Sequence, residues 1–158
     1  LKQLTILSLK IAVVLIGVTV LALCMFWLPW LSNEAGEIAP EFAYLQFPVL
    51  IGLYLTAIPF FVALYQAFKL LNYIGVKSAF AEQSVNAIKG IKYCAYTISG
   101  LYVAGSIILI ALNALHPGIA LIGFTITFAS IVIAVFAAVL ENLLKNAIEI
   151  KSENDLTV

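Results

Sequence analysis

The sequence predicts an all-α, polytopic membrane protein: an antiparallel bundle of four transmembrane helices with both ends on one side. Three observations lead there. The 158 residues are 64% hydrophobic and only 10% charged, with a mean hydropathy of +1.12, whereas a soluble domain is about half apolar and a quarter charged. A chain this short leaves much of its surface outside any core, so the apolar excess must face lipid. The apolar residues also gather into four runs, each near the roughly 20 residues that a hydrocarbon layer about 30 Å thick demands. Finally, all eight basic residues are Lys, and they fall in alternate connectors.

The first span covers about 11–28, with Lys2 and Lys10 before it and Trp27 and Trp30 as interfacial anchors. It is too long for a signal peptide and has no small-residue cleavage site, so it reads as a retained helix. The chain opens on Leu1 rather than Met, which implies a start residue or short leader before it. Pro29 is expected to stop the helix, and Ser32 to Glu41 then form an acidic loop without lysine.

The second span covers about 48–71, with Pro48 in its first turn and Pro59 as an expected kink. Gly75 should break the helix within a loop, 72–90, that carries Lys77 and Lys89 against Glu82. A new helix is expected from about Ala81, with Val85, Ile88 and Ile91 on one side. It runs into the third span, 91–115. His116-Pro117-Gly118 makes a tight turn into the fourth span, 119–140. Its helix is expected to project into water through Glu141, Lys145 and Glu149, at i,i+4 spacing, within a tail, 141–158, whose short polar end runs from Ser152 to Val158. The whole of 1–158 thus reads as one four-helix transmembrane domain. Lysines lie before the first span, from Lys69 to Lys92 around the 72–90 loop, and from Lys145 to Lys151, and neither opposite connector has one. The positive-inside rule makes the lysine side cytoplasmic.

Composition excludes several activities. Without Arg there is no bidentate phosphate fork, so direct nucleic-acid binding is not expected. No metal-ligand spacing appears, and the lone histidine, His116, sits in a turn, so no catalytic residue, metal or cofactor is assigned and no enzyme is expected. No ionisable residue lies near the middle of a span, where proton and ion pathways place them. Glu141 comes nearest, and Lys145 one turn away suggests a surface pair. Glu34, Glu37 and Glu41 would share a face if their loop were helical, but a solvated acidic loop is the plainer reading. Cys24 and Cys94 fall near opposite membrane faces, beyond disulfide reach.

Three stripes run at helical spacing. Ala95, Ser99, Tyr102, Ser106 and Asn113 mark span three; Gly123, Thr127, Ser130, Ala134, Ala137 and Glu141 mark span four; Tyr54, Ile58, Phe61, Tyr65 and Phe68 mark span two. Small and hydroxyl residues are the usual means of close helix packing in membranes. The functional alternative is a polar cleft, lined by Tyr102, Ser106, Asn113, Thr127 and Ser130 and walled by Tyr54 and Tyr65, that takes a small molecule or lipid headgroup.

Two stretches resemble a known family. They are Leu70-Leu71-Asn72-Tyr73-Ile74 with Ala79-Phe80-Ala81-Glu82-Gln83-Ser84-Val85 and Ile88-Lys89-Gly90-Ile91-Lys92, and the ending from Val139-Leu140-Glu141-Asn142 to Glu153-Asn154-Asp155-Leu156-Thr157-Val158. Together they resemble the YoaS-like family of small bacterial four-helix membrane proteins, catalogued as of unknown function. Where that family often has Ser or Thr, this chain has Ala81, which removes a helix cap. Members are often encoded beside a small helix-turn-helix regulator. The resemblance implies a multi-pass protein of the bacterial inner membrane that senses a signal and holds or releases a cytosolic regulator. Candidate partner-binding residues are Lys77, Phe80, Glu82, Lys89 and Lys92 in the loop, and Glu149, Lys151, Glu153, Asn154 and Asp155 in the tail. The tail's last residues would also suit addition to a sheet edge, against the plainer reading of a frayed terminus. Membrane lipid is the other expected partner. A structural subunit of a larger complex, or a homo-oligomer, is the third possibility.

Overall fold

The computed structural model describes residues 2–76 and 81–156, and among them there are helices and no strand. In chain order they are α1 (Lys2–Ala22), a π-helical segment (Leu23–Trp27), α2 (Leu28–Ile38), a 3-10 segment (Pro40–Leu45), α3 (Gln46–Gly75), α4 (Glu82–Ala111) and α5 (Pro117–Leu156). Four stretches are long and apolar enough to cross a membrane: Lys2–Ile38, Pro40–Gly75, Glu82–Ala111 and Pro117–Leu156. Large apolar side chains stand exposed along all four, from Leu4 to Leu156, as lipid-facing helices require.

Pro29 does not stop the first helix. Its missing N–H and its ring conflict with α-helical pairing, and the chain answers by widening one turn. The Leu28 N–H reaches Leu23 O, five residues back. In that wider register the partner of the Cys24 carbonyl is Pro29, which has no hydrogen to give. The Tyr54 hydroxyl donates to that carbonyl instead, at 2.7 Å. The helix therefore continues to Ile38, and the expected acidic loop is largely helical.

The antiparallel pairing of the first crossing with α3 is fixed at several levels. Gln3 Nε2 donates to Gly75 O at 3.0 Å, Lys10 lies 5.6 Å from the Phe68 ring centre, and Tyr54 meets Cys24. At the far end Gln46 Nε2 donates to Asn33 Oδ1 at 2.7 Å, and Ser32 Oγ to Gln46 O at 3.3 Å. Pro59 is accommodated within α3, which ends at Gly75 with Val76 as its C-cap.

α4 starts after Ala81, an extended residue whose side chain makes no capping bond, as its methyl group dictates. The end of α4 comes earlier than the apolar run suggests. Asn113 adopts a left-handed φ of 54°; its N–H bonds Ile110 O, and the Ala114 N–H bonds Leu109 O. This is a Schellman stop with Asn in the position usually held by Gly. α5 then opens on Pro117, with the His116 imidazole Nδ1 accepting from the Gly118 N–H at 3.0 Å, and continues unbroken to Leu156. The expected polar tail is helical as far as it is described.

In space the helices follow chain order. Among the described residues α1 packs on α3, α3 on α4, and α4 on α5, the last pair most extensively. Burial concentrates on α4 and α5: Ser84, Val85, Ala87, Ile88, Ala95 and Ser99 from one, Ser130, Ala134, Ala137 and Glu141 from the other. The small-residue stripes of spans three and four are thus the packed seam, where short side chains let backbones approach. Gly90 serves the same end between α3 and α4, since a Cβ there would lie 3.1 Å from Gln66 Cγ.

Candidate functional site

The stripe that packs α5 against α4 ends in a carboxylate. Continuing from Ser130 through Ala134 and Ala137, the same face brings Glu141 inward, leaving it 3% exposed. A buried carboxylate needs a partner, and it has two. Lys92 Nζ on α4 lies 2.6 Å from Oε2, and Lys145 Nζ, one turn along α5, lies 3.2 Å from Oε1. The two lysines differ in setting. The Lys92 side chain is largely covered and its ammonium also lies 4.9 Å from the Tyr93 ring centre, whereas Lys145 is half exposed. The expectation of a surface pair between Glu141 and Lys145 is therefore corrected: the main partner is Lys92 on the neighbouring helix. The reason is geometric. Lys92 precedes the His116 turn by 24 residues and Glu141 follows it by 25, so an antiparallel hairpin sets them opposite each other.

This ion pair closes the seam at the end where the lysines gather. Lys10 and Lys69 there lie over aromatic rings, Phe68 and Tyr65, at 5.6 and 5.4 Å. Above it rise the remaining turns of α5. Glu149, Lys151, Glu153, Asn154 and Asp155 are all exposed on this helix, and Ile148, Lys151, Ser152, Asp155 and Leu156 share one face of it. Glu82 is exposed at the start of α4, and Lys89 is half-buried two turns on. Lys92 is committed to Glu141. Lys77 and Phe80 lie outside the described residues.

The residues proposed for a cleft separate into groups. Ser106 and Thr127 come together with Val103, Ile107, Leu115, Ala120, Gly123 and Phe124 around a shallow space of about 250 Å³ between α4 and α5. Its lining is mainly apolar, and the Thr127 hydroxyl already donates to Gly123 O at 2.7 Å. Ser130 is buried in the seam and Tyr102 is half-buried on α4. Asn113 is outside the seam, exposed in the stop after α4. Tyr54 faces the π-helical segment, and Tyr65 is 61% exposed. Glu34 and Glu37 lie on α2 and Glu41 in the following 3-10 segment.

Comparison with known proteins agrees with this architecture. The family described as protein of unknown function (DUF2975) matches residues 30–158, from α2 to the end of the chain. The uncharacterized membrane protein YoaS of Bacillus subtilis (strain 168) is 58% identical over 152 residues, which cover 95% of this chain and 95% of that protein. No solved structure matches. With four apolar helices of spanning length, a match over most of its residues and a relative this similar, the chain belongs to the DUF2975 family of membrane proteins.

Proposed function

We propose that this protein is a non-enzymatic, multi-pass protein of the bacterial inner membrane that docks a cytosolic regulator on its lysine-rich end. The observation that carries the reading is the length of α5. Its 40 residues span about 60 Å at 1.5 Å per residue, roughly twice the hydrocarbon thickness. The excess stands beyond the Lys92–Glu141 pair as an exposed, charged helix, close to the start of α4. Lysine placement supports a cytoplasmic side for this end. The resemblance to the YoaS-like family supplies the class of partner, a small helix-turn-helix regulator. A signal reaching the α4/α5 seam would act on the projection directly, because both are parts of one helix.

Co-purification tests this. The full chain is expected to retain a cytosolic partner that a chain ending at Ile148 loses. The same partners on both chains would contradict the reading.

A second reading rests on the space beside Ser106 and Thr127: a bundle that binds a lipid or an apolar small molecule. Filling that space with Ser106→Leu would then abolish retention of the ligand while partner binding and expression persist.

A further inference from the structure

We propose that the groove between α1 and α3 at the lysine-rich end is a binding site for an anionic phospholipid, whose phosphate is held by Lys10 and Lys69. The site is independent of the docking reading above.

Lysines are neutralised within one half of the bundle and not within the other. On α4 and α5, Lys92 and Lys145 share the Glu141 carboxylate at 2.6 and 3.2 Å. α1 and α3 carry Lys2, Lys10 and Lys69, and neither helix has an Asp or Glu. Lys10 and Lys69 are both half-buried, yet neither has an ion pair among the described residues. Each ammonium lies over a ring instead, Lys10 at 5.6 Å from the Phe68 centre and Lys69 at 5.4 Å from that of Tyr65. Those two rings are one turn apart on α3, so both cations belong to one patch. A covered cation without a counter-ion is costly, and ring faces offset only part of that cost.

Depth identifies the missing anion. Following the chain from Lys10, no charged residue appears until Glu34, and going back from Lys69 none appears until Glu41. Both lysines therefore mark the edge of the hydrocarbon layer, where phospholipid phosphates lie. The bond from Gln3 to Gly75 and the contact of Lys10 with Phe68 fix the register of α1 on α3, which brings the two ammoniums to one level. Tyr65 is 61% exposed there, with a hydroxyl able to donate to a phosphate oxygen. Lys89 adds a third cation near this level, since its neighbour Gly90 packs on Gln66 of α3.

The remaining carboxylates of this end are placed elsewhere. Glu82 opens α4 about 12 Å beyond Gly90 along the helix. Glu149, Glu153 and Asp155 stand on the projection of α5, which packs on α4. Phosphatidylcholine brings its own ammonium beside its phosphate, whereas phosphatidylglycerol brings a phosphate with no cation. Two lysines without a carboxylate select the second.

The test reconstitutes the full chain in phosphatidylcholine vesicles with a minor share of phosphatidylglycerol, extracts it in mild detergent and measures each lipid class that stays bound. Bound phosphatidylglycerol is expected to exceed its share of the bilayer about tenfold. Lys10→Gln with Lys69→Gln should bring it back to that share. Lys10→Arg with Lys69→Arg should keep the enrichment, because the charge remains while the packing changes. Lys2→Gln with Lys151→Gln removes the same charge from exposed positions away from the site and should leave the enrichment in place. Bound lipid that mirrors the bilayer, enrichment that survives K10Q/K69Q, or loss in the Arg chain as well would overturn the proposal. So would an equal loss in the K2Q/K151Q chain, which would make the effect one of overall charge. Enrichment abolished by inorganic phosphate, at an ionic strength matched with chloride, would overturn it too and assign the site to the free anion.

Discussion

Lys92 Nζ and Glu141 Oε2 meet 2.6 Å apart across the α4/α5 seam, with Glu141 almost wholly buried. Removing Lys92 leaves the carboxylate with Lys145 alone, a half-exposed partner one turn along the same helix. Lys92→Met should therefore lower stability in detergent unfolding by more than Lys145→Ala does. Lys92→Met combined with Glu141→Leu should restore most of it, because paired apolar replacements are often neutral or better. Lys145→Ala should cost only about 0.3–0.5 kcal/mol, since its i,i+4 contact is half exposed. A double variant as unstable as the single one would count against this account of the seam.

The Tyr54 hydroxyl and Pro29 are linked through the Cys24 carbonyl. Tyr54→Phe removes the donor that replaces the missing proline N–H, an expected loss of about 1 kcal/mol. Pro29→Ala restores a backbone donor and lets the turn relax to an α-helix. Tyr54→Phe should then cost less in that background. Equal losses in the two backgrounds would show that the hydroxyl does not serve the carbonyl.

Asn113 closes α4 in the left-handed region. Asn113→Gly should leave stability unchanged or slightly raised, whereas Asn113→Val should cost about 1–2 kcal/mol, because a branched side chain fits that conformation poorly. Asn113→Ala should not disturb the space beside Ser106, which Asn113 does not line.

Gly36 and Gly90 are places of close approach. A Cβ at Gly36 would fall 2.6 Å from Gln46 Oε1, so Gly36→Ala should displace Gln46 and weaken its bond to Asn33, costing about 1 kcal/mol. Gly90→Leu should be worse. Its side chain would press on Gln66 where α3 and α4 pack, and a backbone shift there typically costs about 1–3 kcal/mol.

Much of this fold is readable from hydropathy, because apolar runs of spanning length have few alternatives in a membrane. The stripes of Ala95, Ser99, Ser130, Ala134 and Ala137 also foretell the seam, since small residues repeat where backbones touch. Local chemistry accounts for the departures. Pro29 reads as a stop, and only a tyrosine 25 residues away provides the hydrogen bond that lets the helix continue. Asn113 looks like a seam residue by spacing, yet Asn shortly before His-Pro-Gly is also a helix-stop signal, and that signal prevailed. Glu141 follows the seam's own periodicity, and its distance of 25 residues from the His116 turn, against 24 for Lys92, points to that partner. Judging it from its helical neighbour Lys145 alone hides that partner. The helix through Glu141, Lys145 and Glu149 is legible in the sequence; its extension over 152–156, where the polar composition suggests a loose tail, continues a run rich in the helix formers Leu, Ala, Glu and Lys.

The account depends on which side of the membrane the α5 projection occupies. With Cys24 and Cys94 replaced by Ser, Asn154→Cys and Glu37→Cys can be probed in intact cells with a membrane-impermeant maleimide. Glu37→Cys should be labelled at once and Asn154→Cys only after the membrane is permeabilised. Labelling of Asn154→Cys from outside, with Glu37→Cys protected, would place the projection away from every cytosolic partner and contradict the docking function.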